Sequence, residues 1–185
     1  MRLDAVVQDS FQGAMLGTQY LIDEGHERIA WLGPVSQSVQ SRERFGGYSA
    51  AMAGAGLRIR PELARNTAWD DVPAAARKML TLKNRPTAVL GLWTGAVESS
   101  CRASREAGLT IGKDIEILGW TCEEDYDRAY RALFGGDRVP PTMVWSIAEL
   151  ARMTVARLAA RRQRPQAAPV LVKIPARLRR SGGGR

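Results

Sequence analysis

One histidine, two cysteines and five tryptophans are the side chains here with the most distinctive chemistry. His26 stands between a helical pattern and an apolar run, where a capping or packing imidazole is the expected role. Without a second histidine there is no histidine metal cluster, and a Ser-His-Asp triad would rest on this one turn residue. Cys101 falls within a helical stretch as an expected core residue. Cys122 ends an apolar run with no evident base to activate its thiol. Gly108-Leu109-Thr110-Ile111-Gly112-Lys113-Asp114 has the outline of a P-loop. It is one residue short, carries Asp where Ser or Thr must hold a cation, and precedes a strand instead of following one. No catalytic residue, metal or cofactor is expected.

The tryptophans point to binding. Trp69, Trp93 and Trp120 each follow or end a short apolar run, and Trp145 lies just before a helical pattern. An indole buries a large apolar area, so several at one sheet edge could form a stacking platform for a ring-shaped or apolar ligand. They could equally plug that edge. Polar neighbours stand beside them at Gln8-Asp9, Asp70, Thr94 and Thr121.

The elements that must position these residues alternate regularly. Strands are expected at 3–8, 28–33, 64–68, 87–92, 115–120 and 170–175, and helices at 11–25, 42–56, 73–82, 95–107 and 146–162. Gly25, Gly56 and Gly108 stop three of the helices. The stretch from 121 to Pro140-Pro141 reads as a polar, charged loop. Strands separated by such helices imply right-handed crossovers and a doubly wound parallel α/β sheet. Ligands bind such sheets at the carboxyl ends of the strands, near the topological switch. The tryptophans fall at those ends.

Composition agrees with one substantial domain: 185 residues, 45% hydrophobic and 25% charged. No run is long enough to span a bilayer, and the first ten residues lack a secretory signal pattern, so a cytoplasmic location is expected. The net charge of +8 is uneven, because residues 149–185 carry 10 basic groups against 1 acidic group. This basic end reads either as a phosphate- or DNA-binding tail or as a solvated helix face with a frayed terminus.

Several segments in order resemble the sensor domain of LacI/GalR transcription regulators. The family runs through a helix ending L-I-x-x-G-H, a strand ending G-P, then S-x-x-R-x-x-G-F/Y. Here these are Leu21-Ile22-Asp23-Glu24-Gly25-His26, Gly33-Pro34, and Ser41-Arg42-Glu43-Arg44-Phe45-Gly46-Gly47-Tyr48. Residues 85–120 follow the family's P-T-A strand, its helix, A-G-L and D-I-x-I-x-G, and residues 141–161 resemble its T-T-V-x-Q-P-I-x-E-M-G helix.

The resemblance implies a type I periplasmic-binding-protein-like fold, mostly its C-terminal lobe, in residues 1–142. It assigns 143–165 to a helix of the N-terminal lobe, 166–178 to a final strand and 179–185 to a flexible tail. It further implies that the DNA-reading helix-turn-helix and most of the N-terminal lobe are absent. The stripe Ile147, Leu150, Ala151, Val155 and Leu158 would then lack its usual partner, leaving that helix displaced, packed non-natively or held by a second chain.

The implied function is sensing of a small-molecule effector and homodimerisation, with DNA contacted only through the absent module. The alternatives are a dimerisation fragment without ligand and a periplasmic-type solute-binding protein. Arg44 matches the arginine that the family points into its cleft, where a forked guanidinium suits hydroxyl pairs, carboxylate or phosphate. The family's A-N-D is here Leu92-Trp93-Thr94, and its G-F/Y-D-D is Gly119-Trp120-Thr121-Cys122. Both acidic positions that commonly hold sugar hydroxyls are replaced. The expected effector, a sugar-like, sugar-acid or aromatic molecule, therefore shifts from an ordinary neutral sugar toward an aromatic, apolar or anionic one. Its expected seat is Arg44, Trp93, Thr94, Trp120 and Thr121, with Trp69 and Asp70 nearby.

Overall fold

The computed structural model describes residues 3–134 and 139–180, so the tail from 181 onward lies outside the described residues. In chain order the elements are β1 (Ala5–Gln8), α1 (Ser10–Asp23), β2 (Ile29–Gly33), α2 (Val39–Gly54), β3 (Ala64–Asn66), α3 (Val72–Leu80), β4 (Ala88–Leu90) and α4 (Thr94–Glu106). They continue with β5 (Glu116–Cys122), α5 (Tyr126–Phe134), β6 (Thr142–Trp145), α6 (Ile147–Gln163), β7 (Leu171–Ile174) and β8 (Arg177–Arg179).

The main sheet has the order β3-β2-β4-β5-β6-β8, parallel throughout except for β8, which runs antiparallel to β6. All five residues of β2 and all seven of β5 are buried, as expected of central strands covered on both faces. Alternation divides them between two layers. Ile29 and Trp31 face α1 and α2, while Ala30 and Leu32 face α3 and α4. The chain steps to opposite sides of β2 to form β3 and then β4, which puts the topological switch between β2 and β4.

Close approach fixes α1 over the sheet. A Cβ on Gly13 would lie 2.5 Å from the Trp120 ring, so only glycine lets the helix lie against that indole. Asp9 starts α1 by accepting from the Gln12 amide at 3.1 Å, and Ser38 starts α2 by accepting from Ser41 at 2.9 Å.

Four elements differ from the sequence expectation. The stretch read as a polar loop contains α5, and β6 follows it in residues for which no strand is expected. Tyr126, Tyr130 and Phe134 are buried against Cys101, Ile117 and Val144. A short edge strand, β8, follows the strand expected at 170–175. Finally, β1 is not in the main sheet: it pairs in parallel with β7, from Ala5 opposite Leu171 to Gln8 opposite Ile174. The hydrogen bonds thus place strand 5–8 with the C-terminal strand, separate from the lobe to which 1–142 was assigned.

Carboxylates tie this small sheet and α6 together. Asp4 receives Arg161 through two hydrogen bonds of 2.8 Å, the Val170 amide at 2.8 Å, and an ion pair with Arg157 at 3.1 Å. At the other end of α6, Glu124 accepts from the Ile147 and Ala148 amides at 3.0 Å and from the Ser146 hydroxyl at 2.8 Å. A carboxylate there satisfies orphan amides and complements the helix dipole. The rest of α6 is open, with Val155 68% and Leu158 62% exposed and no residue fully buried. A concavity of about 590 Å³ lies between α6, β1 and the 165–169 loop.

These bonds hold the Asp4 carboxyl well below its ordinary range, through Arg161 first and the Val170 amide next. The Glu124 carboxyl is held down to about 2, by the Ala148 and Ile147 amides. Depressed acids contribute stability that is fully present above the unfolded-state value and is lost as pH falls toward the folded-state one. Amide protection factors across 147–163 are therefore expected to hold steady down to about pH 5 and to fall below about pH 4. In Glu124→Gln the first turn of α6 should lose its share of that dependence. A pH-independent first turn in the parent would contradict this account.

Candidate functional site

Arg44 is the anomaly from which the site is built. The buried stripe of α2 comprises Ser41, Arg44, Gly47, Tyr48, Ala51 and Met52. A helical stripe facing a sheet should be apolar or small, yet Arg44 is in phase with it and only 4% exposed. Among the described residues no carboxylate pairs with it. Its neighbour Glu43, one possible partner, instead binds Lys173 at 2.9 Å.

The guanidinium is held by neutral groups. One terminal nitrogen donates to the Leu92 carbonyl, the other to Gln8 Oε1 at 3.2 Å, and Nε is buried without a hydrogen-bond partner. Its centre lies 4.3 Å from the Trp120 ring and 4.9 Å from the Trp93 ring. Two indoles thus bracket one cation, each within cation–π range. Burial pulls its pKa down to about 9, which still leaves it charged at neutral pH.

The surrounding elements explain the bracket. Trp93 is the N-cap residue of α4 in extended conformation, directly beyond β4, so its ring swings over the β2 tip. There Gly33 takes φ +132, and a Cβ at that position would come within 3.1 Å of the Trp93 ring. Trp31 meets Trp93 edge-on at 5.6 Å between centroids, and Trp69 meets it at 5.0 Å. Trp120 comes from within β5, 4% exposed, and its Nε1 donates to the same Gln8 oxygen at 3.2 Å.

The structure therefore brings Arg44, Trp93 and Trp120 into one cluster and places Trp69, 41% exposed, at its rim. Asp70 lies exposed in the short 3-10 turn after Trp69, and Thr94 lies exposed at the start of α4. Thr121 points away: it follows Trp120 in β5 and is in register with Val144 on the α5 side. Trp145 is half-buried against the α1–α2 side of the core. The sequence marks Gln8 as a polar residue at a strand tip but gives no sign that it belongs to the seat, where its oxygen joins two members of the cluster.

The remaining reactive groups are inert here. Burial pushes the Cys101 thiol up to about 12 and raises that of Cys122, so both stay protonated. His26 Nδ1 lies 3.1 Å from Thr87 Oγ1 and pins the turn after α1 to the start of β4. Burial lowers its pKa. Among the described residues no three His, Cys, Asp or Glu side chains gather as a metal site, and no helix is long and apolar enough to cross a membrane.

An open, mostly parallel sheet with a cation–indole cluster at its strand tips has the architecture of one lobe of a doubly wound α/β domain. The chain belongs to the family described as periplasmic binding protein-like domain, which matches residues 18–181. It is 32% identical over 119 residues to the HTH-type transcriptional repressor PurR of Vibrio vulnificus, covering 63% of this chain and 36% of that protein. It is 33% identical over 117 residues to the maltose regulon regulatory protein MalI of Escherichia coli, covering 58% of this chain and 34% of that one. The matched stretch thus spans about a third of these curated relatives. Among solved structures, a regulatory protein of LacI family from Chloroflexus aggregans superposes with a TM-score of 0.84 at 27% identity, covering 100% of this chain and 65% of that one. The resemblance to LacI/GalR sensor domains is borne out, and so is the doubly wound fold.

A buried cation without a counter-charge costs stability that an apolar replacement of similar length recovers. Arg44→Met is therefore expected to leave the unfolding free energy within about 1 kcal/mol of the parent, or to raise it, in urea denaturation. A loss above about 3 kcal/mol would show that the guanidinium is a structural strut instead of a functional group.

Proposed function

We propose that this chain is the effector-sensing part of a cytoplasmic, LacI-type transcription regulator, with no catalytic role of its own. In this reading it self-associates as a homodimer, and it takes a small anionic effector, aromatic or sugar-acid in character, at Arg44. The single observation that carries the reading is a guanidinium 4% exposed, lacking any carboxylate partner among the described residues and bracketed by two indoles. Evolutionary relatives that regulate transcription supply the context.

An anion reaching Arg44 would neutralise the buried charge and gain charge-assisted hydrogen bonds, which is the largest favourable term the site offers. Trp93 and Trp69 would give a ring an apolar wall, with Thr94 and Asp70 at the mouth. A neutral sugar fits less well, because Thr94 and Thr121-Cys122 stand where the resemblance to the family places acids. Binding that favours one arrangement of the lobe over another is the means by which such a module signals.

A second reading has a specific observation behind it. Trp120 is 4% exposed with Arg44 over its ring, so the site as it stands is closed on itself. That arrangement also suits an interaction module that binds no effector.

A thermal-shift and calorimetric screen of neutral sugars, sugar acids, nucleobases and aromatic carboxylates separates the two. Acids are expected to raise the melting temperature of the parent and to lose their effect in Arg44→Met. Binding of a neutral sugar that survives Arg44→Met would overturn the anionic reading, and silence across the whole screen would favour the interaction module.

A further inference from the structure

Arg44, Trp93 and Trp120 belong to the main lobe, but Gln8 is the last residue of β1 in the small β1–β7 sheet. One atom, Gln8 Oε1, accepts from both Arg44 and Trp120 Nε1, each at 3.2 Å. Both bonds lie at the long limit for N–H···O hydrogen bonds, and a neutral amide oxygen is the acceptor. Arg44 Nε meanwhile stays buried and unmatched. The donors are thus arranged for a stronger acceptor than the one they have.

We infer that Gln8 holds the place of the effector's anionic oxygen, and that displacement of Gln8 is how occupancy of Arg44 reaches the β1–β7–α6 unit. The inference rests on the anionic reading above and adds to it the residue that competes with the effector and reports its arrival. A carboxylate bonds a guanidinium at shorter range and about twice as strongly as a neutral amide does. It would take the Arg44 and Trp120 donors together, and Gln8 would let go.

The unit would not come loose altogether. The Asp9 amide still donates to the Ile174 carbonyl at 2.7 Å, Lys173 still reaches Glu43 at 2.9 Å, and Gln12 still accepts from the Ala176 amide at 3.2 Å. What changes is the tip of β1, whose side-chain tie to the cluster is the Gln8 pair. Binding energy is thereby converted into a shift of one sheet relative to the other, as a ligand with differential affinity for two arrangements requires.

Benzoate serves as the probe, with neutral benzamide as its control, by calorimetry on the parent, Gln8→Ala and Gln8→Glu. Gln8→Ala removes the competitor and is expected to bind benzoate about fivefold to tenfold more tightly than the parent. Gln8→Glu supplies an internal carboxylate and is expected to bind none, with a raised melting temperature that shows it is folded. Hydrogen exchange at 5–8 and 171–174 should quicken with benzoate in the parent and stay unchanged in Gln8→Ala. Equal affinities in parent and Gln8→Ala, with the same exchange response, would overturn the role of Gln8 while leaving Arg44 as the anion site. Absence of benzoate binding in all three proteins would overturn both.

Discussion

The site turns on one electrostatic problem: a guanidinium placed in the buried stripe of α2, where a helix facing a sheet should present apolar atoms. Water is excluded, no carboxylate answers it among the described residues, and the two indole faces with the Leu92 and Gln8 oxygens carry the compensation. Several other features follow from it. Gly13 must be glycine for α1 to lie against Trp120. Gly33 must turn through positive φ to pass beneath Trp93, and the edge-on chain Trp69, Trp93 and Trp31 anchors the outer indole. A leucine or methionine at position 44 would avoid this desolvation cost, which is why the proposed anion-binding role is placed on Arg44.

The second constraint is topological. The main lobe and the small β1–β7–α6 unit meet where the chain crosses between them, at 8–10, 145–147 and 174–177. Each crossing carries a polar tie: Gln8 to Arg44 and Trp120, Glu124 to the start of α6, and Gln12 to Ala176. Polar links across a junction are better suited to change than an apolar seam, because each can exchange its partner for another without exposing hydrocarbon. The strand tips that carry the Arg44 cluster and the junction are the same place in this fold. That is a physical reason for the proposed binding at Arg44 to be felt in β1.

Much of this was legible in the residues and some was not. Central strands such as 28–33 and 87–92 announce themselves as short apolar runs between glycine-stopped helices, and β2 and β4 lie within them. By contrast, α5 hides behind the acidic run Glu123-Glu124-Asp125, although Tyr126, Tyr130 and Phe134 keep a spacing of four that marks its buried face. β6 is four residues long behind two prolines, and β8 is an arginine-flanked edge strand, so neither has the contrast that periodicity needs. The pairing of β1 with β7 joins opposite ends of the chain, which local pattern does not encode. Within the site, Arg44, Trp93 and Trp120 could each be named. That the cation fills the space between the indoles, with their inner faces already occupied, depends on packing. Thr121 was misjudged for a simpler reason, since strand alternation turns it away from its neighbour Trp120.

The central claim is that the Arg44 guanidinium lies between two indole rings without a counter-charge, and side-chain nitrogen NMR on arginine-labelled protein tests it most directly. Ring currents from Trp93 and Trp120 should shift the Arg44 Nε–H resonance well upfield of the other arginines, with slow exchange against solvent, and the signal should vanish in Arg44→Met. An Arg44 resonance at the ordinary solvent-exposed position, exchanging freely, would contradict the account.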